Sequence, residues 1–395
     1  MMNFNTSRHR SGQRTWARAT AVVLLLLPAG AWAAEPTSKP GALPKARPLR
    51  EVYKDDFLVG VAVGPYVYQG SDKTIGPLVG RQFSALTPEN ATKWQPLNPT
   101  PGVYKFDEAD KLVRFAQANR MQVIGHTLVW HSQTPDWVFK GPDGKDASRE
   151  LLLQRMRQHI EKVVGHYRGA VKGWDVVNEA VADGGKQLRQ TPWRRIIGDD
   201  FIEKAFEYAH KADPKAQLYY NEYGLEDPAK RLETIKLVKG LKEKGIPIHA
   251  VGNQAHWQID TPPIEQIEKT IEDFAALGVK VNFTELDMNL YAWGDNADRY
   301  KDSLPEELLQ KQAARYAAMF ELFRKHKGTI ERVTFWGPTD RYTWLNSFPV
   351  KRTNYPLLFD RDNKPKLAYW AVLDPSAYLA DPARKALVNA PAAGK

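Results

Sequence analysis

Two glutamates stand at the ends of apolar runs. Glu179 closes "KGWDVVNE" (172–179), and Glu285 falls in "VKVNFTEL" (279–286). An unpaired carboxylate is costly to bury. An apolar run that delivers one at its end implies an opening, where the group is hydrogen-bonded, partly wet and tuned by its neighbours. Two such groups facing each other suit acid and base work on a bond held between them. A lone acid at such a place is equally explained as a helix N-terminal carboxylate answering the helix dipole. The pairing of Glu179 with Glu285, with aromatics around both, weighs against that.

Other apolar runs end in the same way. Glu89 and Asn90 follow "QFSALT" (82–87), and His126 and Trp130 lie in "QVIGHTLVW" (122–130). Asn178 precedes Glu179, and Asn221 and Glu222 end "QLYYNE" (217–222). Gln254 and His256 end "IHAVGNQAH" (248–256), Asp287 follows Glu285, and Trp336 lies in "RVTFWG" (332–337). With "FLVGVAV" (57–63) these make eight runs rich in β-branched and aromatic residues.

Helical patterns separate them. In 151–167, Leu152, Met156, Ile160, Val163 and Tyr167 fall at steps of three and four, with Gly169 as a stop. In 306–327 the same pattern runs through Leu309, Ala313, Tyr316, Phe320 and Phe323 to Gly328. Strands that alternate with helices pair in parallel through crossovers. Nearly continuous apolar runs fit a sheet covered on both faces. Eight units predict an α/β fold, a (β/α)8 TIM barrel, with its chemistry at the carboxyl ends of the strands. A doubly wound open sheet is the alternative, but "GVAVGP" is not the Gly-rich phosphate turn such a sheet carries.

Composition narrows the function. The 395 residues include no cysteine, so thiolate chemistry and disulfide scaffolds are excluded. Of the net charge of +10, four charges belong to residues 1–33, and the remaining +6 is spread over mixed-sign stretches such as "LKEKG" rather than a basic stripe, which argues against a nucleic-acid partner. His126 and His131 are not at metal-ligand spacing and there is no HExxH pattern, so no metal is expected, and no cofactor. Residues 1–33 carry Arg8, Arg10, Arg14 and Arg18, then an apolar run ending in Ala31-Trp32-Ala33, the pattern of a secretory signal. The apolar run falls short of the ~20 residues of a membrane span. The expectation is a secreted or periplasmic protein with no membrane segment in its mature form. Residues 34–48 read as a flexible leader, 49–378 as a single catalytic domain and 379–395 as a frayed tail. Oligomeric state leaves no signal.

"WDVVNEA" (174–180) and "FTELDM" (283–288) resemble the two catalytic signatures of glycoside hydrolase family 10, the endo-β-1,4-xylanases. "ALTPENATKW" (85–94), "GHTLVWHSQTPDW" (125–137), "LRQTPW" (188–193), "YYNEY" (219–223), "GNQAHW" (252–257) and "TFWGPTDRYTWLNSF" (334–348) match that family in kind and order. The resemblance covers about residues 50–375. It implies a retaining endo-β-1,4-xylanase acting on xylan or xylo-oligosaccharides, with Glu179 as acid/base and Glu285 as nucleophile. It implies a sugar-binding wall of Glu89, Asn90, Lys93, His126, Trp130, Asn178, Gln254, His256, Trp336 and Trp344, with Asp287 supporting His256. Asn178 is expected to donate to Glu285 or to a sugar hydroxyl. Retention requires the two carboxyl groups about 5–5.5 Å apart, and so close a pair titrates as a unit. Gly64 and Arg341-Tyr342-Thr343 depart from the family pattern and are expected to change contacts to distal sugars. Two other readings stay open: a β-1,4-glucanase or mixed-linkage glycanase on the same barrel, and a secreted carbohydrate-binding protein that does not cut.

Overall fold

The computed structural model describes residues 46–390, except Trp293. Residues 1–33, read from the sequence as a secretory signal, and most of the expected leader lie outside the described residues.

Nine strands form one sheet: β1 (Leu58–Val63), β2 (Ala85–Pro88), β3 (Gln122–Val129), β4 (Val171–Asn178), β5 (Gln217–Glu222), β6 (Ala250–Asn253), β7 (His256–Gln258), β8 (Lys280–Asn289) and β9 (Ile330–Phe335). Every pairing is parallel, β1 pairs with β9 and β6 pairs with β8, so eight of them close into the expected barrel. The ninth, β7, is a three-residue strand lying along β8 only. The run 248–256 therefore splits, because Ala255 takes a left-handed turn (φ 61°) between Gln254 and His256. That turn aims both side chains at the mouth.

The helices form for local reasons. Ser148 caps Arg149–His166 by accepting the Leu151 N–H at 3.2 Å. Leu152, Met156, Ile160 and Val163 form the buried face of that helix. After β5, Asp227 accepts the N–H groups of Ala229 and Lys230, each at 2.9 Å, and Pro228 opens the next helix. Glu306–Lys325 buries Tyr316, Phe320 and Phe323 against the barrel. Each apolar side chain so buried contributes roughly 1.5–3 kcal/mol. No helix among the described residues is long and apolar enough to cross a membrane.

The expected frayed tail is held in place as far as residue 390. Pro382–Ala386 is helical, Arg315 donates to the Val388 carbonyl at 3.1 Å, and Lys311 donates to the Ala390 carbonyl. Buried cations that need acceptors fix this segment, a demand that its own Ala- and Pro-rich sequence does not reveal.

Inside the barrel, glycines make room for large neighbours. A Cβ on Gly125 would lie 2.1 Å from the Trp174 ring, and one on Gly252 would lie 2.3 Å from Asn221 Oδ1. Gly125→Ala is expected to destabilise the protein by about 1–3 kcal/mol, because the Trp174 ring has nowhere to move. Urea unfolding of the variant measures this. An unchanged midpoint would show that β3 and β4 are not packed as described.

Candidate active site

Glu179 follows the last residue of β4 in a left-handed conformation (φ 58°), and its N–H donates to the Asn221 carbonyl at 2.9 Å. The turn is strained for a residue with a side chain. Four neighbours hold it. Tyr220 Oη accepts the Ala180 N–H at 3.0 Å, and Glu222 Oε2 accepts the Val181 N–H at 3.0 Å. Arg189 donates to the carbonyls of Glu179 and Val181, each at 3.3 Å. Lys230, itself buried, pairs with Glu222 at 3.0 Å and lies 3.3 Å from the Tyr223 ring centroid. Burial raises the Glu222 pKa, while Lys230 and the Tyr220 hydroxyl oppose that rise.

The Glu179 carboxylate accepts three hydrogen bonds: from Trp130 Nε1 at 2.8 Å, Gln254 Nε2 at 2.8 Å and Asn178 Nδ2 at 3.2 Å. His131 Nε2 stands 4.0 Å away. Trp130 is in turn capped by the Lys93 ammonium, 4.9 Å from its ring centroid.

Glu285 lies deeper. Its side chain is 7% accessible, against 14% for Glu179. Asn221 Nδ2 donates to Oε1 at 2.8 Å, and His256 Nε2 lies 3.1 Å from Oε2. The other nitrogen of His256 faces Asp287 Oδ1 at 3.0 Å. Burial disfavours charge on this imidazole, but Asp287 and Glu285 outweigh it and push its pKa up to about 10. Burial likewise pushes Glu285 up, but the His256 hydrogen bond, His126 and Asn221 bring it below the usual carboxylate range. The site therefore holds a buried carboxylate ionised by surrounding it with donors and positive charge.

A continuous amide chain links the two glutamates. Asn221 donates to Glu285 and also, at 2.9 Å, to Asn178 Oδ1. Gln254 Nε2 lies 3.4 Å from that same Asn178 oxygen and bonds Glu179. Of the two roles expected for Asn178, the structure overturns donation to Glu285: that donor is Asn221, and the Asn178 amide donates to Glu179. Thr284 Oγ1 donates to Asn221 Oδ1 at 2.7 Å, which fixes the flip of the Asn221 amide and frees its NH2 group for both acceptors.

The remaining residues expected at the site line the same mouth. His126 is buried and bonds Asp175 at 2.9 Å. Trp336 stands edge-on to both His126 and His256, with ring centroids at 5.4 and 6.2 Å. Trp344 donates to Asp287 Oδ2 at 2.7 Å and stacks on exposed Phe348. Lys93 bonds Asn90 at 3.0 Å and Gln133 at 2.6 Å and forms no ion pair with Glu89. Burial raises the Glu89 pKa and lowers that of Lys93. At the departures, Tyr66 beside Gly64 stacks on Tyr342 with centroids 3.9 Å apart, and Tyr342 donates to Asp72 at 2.8 Å. These rings join the loops after β1 and β9.

Asn221 and Glu222 were visible as strand-end residues but were not placed in the site. The polar end of β5 was the signal for both. Asp175, Gln133 and Arg189 fall inside the quoted motifs "WDVVNEA", "GHTLVWHSQTPDW" and "LRQTPW", but were not placed in the site, since the first is mid-strand and the others lie on loops.

Residues 48–375 match the model of glycosyl hydrolase family 10. The chain is 47% identical to a beta-1,4-xylanase of Dictyoglomus thermophilum, over 82% of this chain and 90% of that one. It is 46% identical to an endo-1,4-beta-xylanase of Geobacillus stearothermophilus, over 82% of this chain and 98% of that one. The structure of xylanase B from Clostridium stercorarium F9 aligns with a TM-score of 0.80 at 42% identity, over 84% of this chain and 100% of that one. A family match across the whole barrel, together with a carboxylate pair at the strand ends, shows that this chain belongs to glycosyl hydrolase family 10.

Proposed function

We propose that the protein is a retaining endo-β-1,4-xylanase. Glu179 protonates the glycosidic oxygen as it leaves, and Glu285 attacks the anomeric carbon to form a glycosyl ester. Glu179, now a carboxylate, takes a proton from water, and the resulting hydroxide equivalent displaces Glu285. Net, one water is consumed and the anomeric configuration is kept. The observation that carries this reading is the buried Glu285, held by Asn221 and His256 and joined through amides to the less buried Glu179. His126, Lys93, Asn90, Glu89 and Gln254 supply hydrogen-bonding groups for sugar hydroxyls, and Trp336 and Trp344 supply apolar ring faces. Xylose lacks the hydroxymethyl arm of glucose, and xylanase relatives over the whole barrel favour xylan over glucan. With residues 1–33 read as an export signal, we place the mature protein outside the cytoplasm.

Glu285→Gln is expected to lower kcat on xylan by on the order of 10⁴-fold or more, and Glu179→Gln by about 10²–10⁴-fold. Reducing-end release from xylan and from carboxymethyl cellulose measures both activity and substrate. An unchanged rate in Glu285→Gln would remove the mechanism. Faster release from the cellulose derivative would remove the substrate assignment alone.

His256 gives a pH signature. Its folded pKa of about 10 lies above its unfolded value of about 6.5, so its stabilising contribution is complete below pH ~6.5 and is lost as pH rises toward 10. His256→Asn is expected to lose that slope in unfolding free energy between about pH 6.5 and 10. It also removes a cation from Glu285, so the acidic limb of kcat/KM moves to higher pH. Urea unfolding and pH–rate profiles of both proteins check this; superimposable profiles would contradict the role given to His256.

A further inference from the structure

The opposite end of the barrel holds a second polar cavity. The residues at the amino ends of β1, β3, β4, β5, β8 and β9 surround a volume of about 400 Å³. Lys54, Lys172, Lys280, Lys327 and Arg332 line it, together with Tyr219. Arg332 points inward from β9 and is only 2% exposed. Its Nη1 donates to Thr334 Oγ1 at 2.6 Å, and its guanidinium carbon lies 5.9 Å from the Tyr219 ring centroid. Its Nη2 is buried without a hydrogen-bond partner, and no carboxylate among the described residues forms an ion pair with it.

Two of the cavity's acids pair with two of its own lysines. Asp56 pairs with Arg324 at 3.1 Å and Lys327 at 3.2 Å, and Asp55 with Lys54 at 3.0 Å. Glu331 is half-buried at the edge. A buried guanidinium that lacks a counter-charge is costly. Its free N–H beside a cavity also lined by Lys172 and Lys280 matches the geometry that Arg uses to grip planar or tetrahedral oxyanions.

We propose that this amino-terminal mouth is a binding site for a small tetrahedral dianion of the phosphate or sulfate type, held by Arg332 Nη2 and steered by Lys172 and Lys280. Lys280 Nζ reaches the Gly328 carbonyl at 2.6 Å, so an ion here also couples the start of β8 to the turn before β9. The ion binds the folded barrel and not the open chain, so it stabilises by mass action. The site lies at the end of the strands away from Glu179 and Glu285 and does not depend on the reaction proposed for them.

Isothermal titration and thermal unfolding of the full chain with inorganic phosphate, and separately with sulfate, test the site at ionic strength matched with sodium chloride. The expected result is saturable binding of one ion per chain and a rise in Tm of roughly 2–6 °C at saturation. Whichever of the two ions binds more tightly identifies the preferred source. Arg332→Met is expected to weaken binding at least tenfold. Lys172→Gln changes an exposed side chain and leaves folding intact, so it tests the site even where Arg332→Met does not fold; it is expected to weaken binding severalfold with an unchanged rate on xylan. A Tm rise matched by sodium chloride, wild-type affinity in Lys172→Gln, or tighter binding of glucuronate than of either dianion would each overturn the proposal.

Discussion

A carboxylate kept ionised at the floor of an apolar barrel is the constraint on which the rest of this molecule depends. Taking such a charge out of water costs several kcal/mol, repaid only by close and well-aimed partners. Glu285 has two, the Asn221 amide and the His256 imidazole. Each partner is held in turn. Asp287 faces the far side of His256, Trp344 bonds Asp287, and Thr284 sets the Asn221 amide. Gly252 leaves the space that Asn221 occupies. A single charge thus dictates residues on β5, β6, β7 and β8 and on the loop after β9.

Glu179 poses the opposite problem. It is more exposed and sits on a strained turn, so its position, more than its charge, must be enforced. The structure does this through backbone groups. Tyr220 and Glu222 take N–H groups beyond the turn, and Arg189 grips its carbonyls. The Lys230–Glu222 pair is buried on both sides, which lends this support the rigidity of the core.

The fold was legible because its signal is repeated. Eight apolar runs and their intervening helical periods carry the same message, and the observed strands β1 to β5 match the predicted runs to within a few residues. The splitting of 248–256 into β6 and β7 was not legible, since a left-handed Ala255 leaves no mark on composition. The end of the chain was misread for a related reason: its order comes from Lys311 and Arg315, far away in sequence. At the site, side chains at strand ends could be named from the sequence alone. What could not be read was direction. Whether Asn178 or Asn221 donates to Glu285 depends on which amide faces which acceptor, and that follows from Thr284 and from the room that Gly252 leaves for Asn221. Arg189 stood in the quoted "LRQTPW", but its role was not legible, because a loop arginine looks the same whether it meets solvent or a strained turn.

The most direct test is the anomeric form of the first product. Proton NMR of short xylo-oligosaccharide hydrolysis, read before mutarotation, distinguishes attack by Glu285 from attack by water. If Glu285 is the nucleophile, the β-anomer appears first and the α-anomer grows only later. Early appearance of the α-anomer would mean that water attacks the sugar directly, and the buried carboxylate would then have another task.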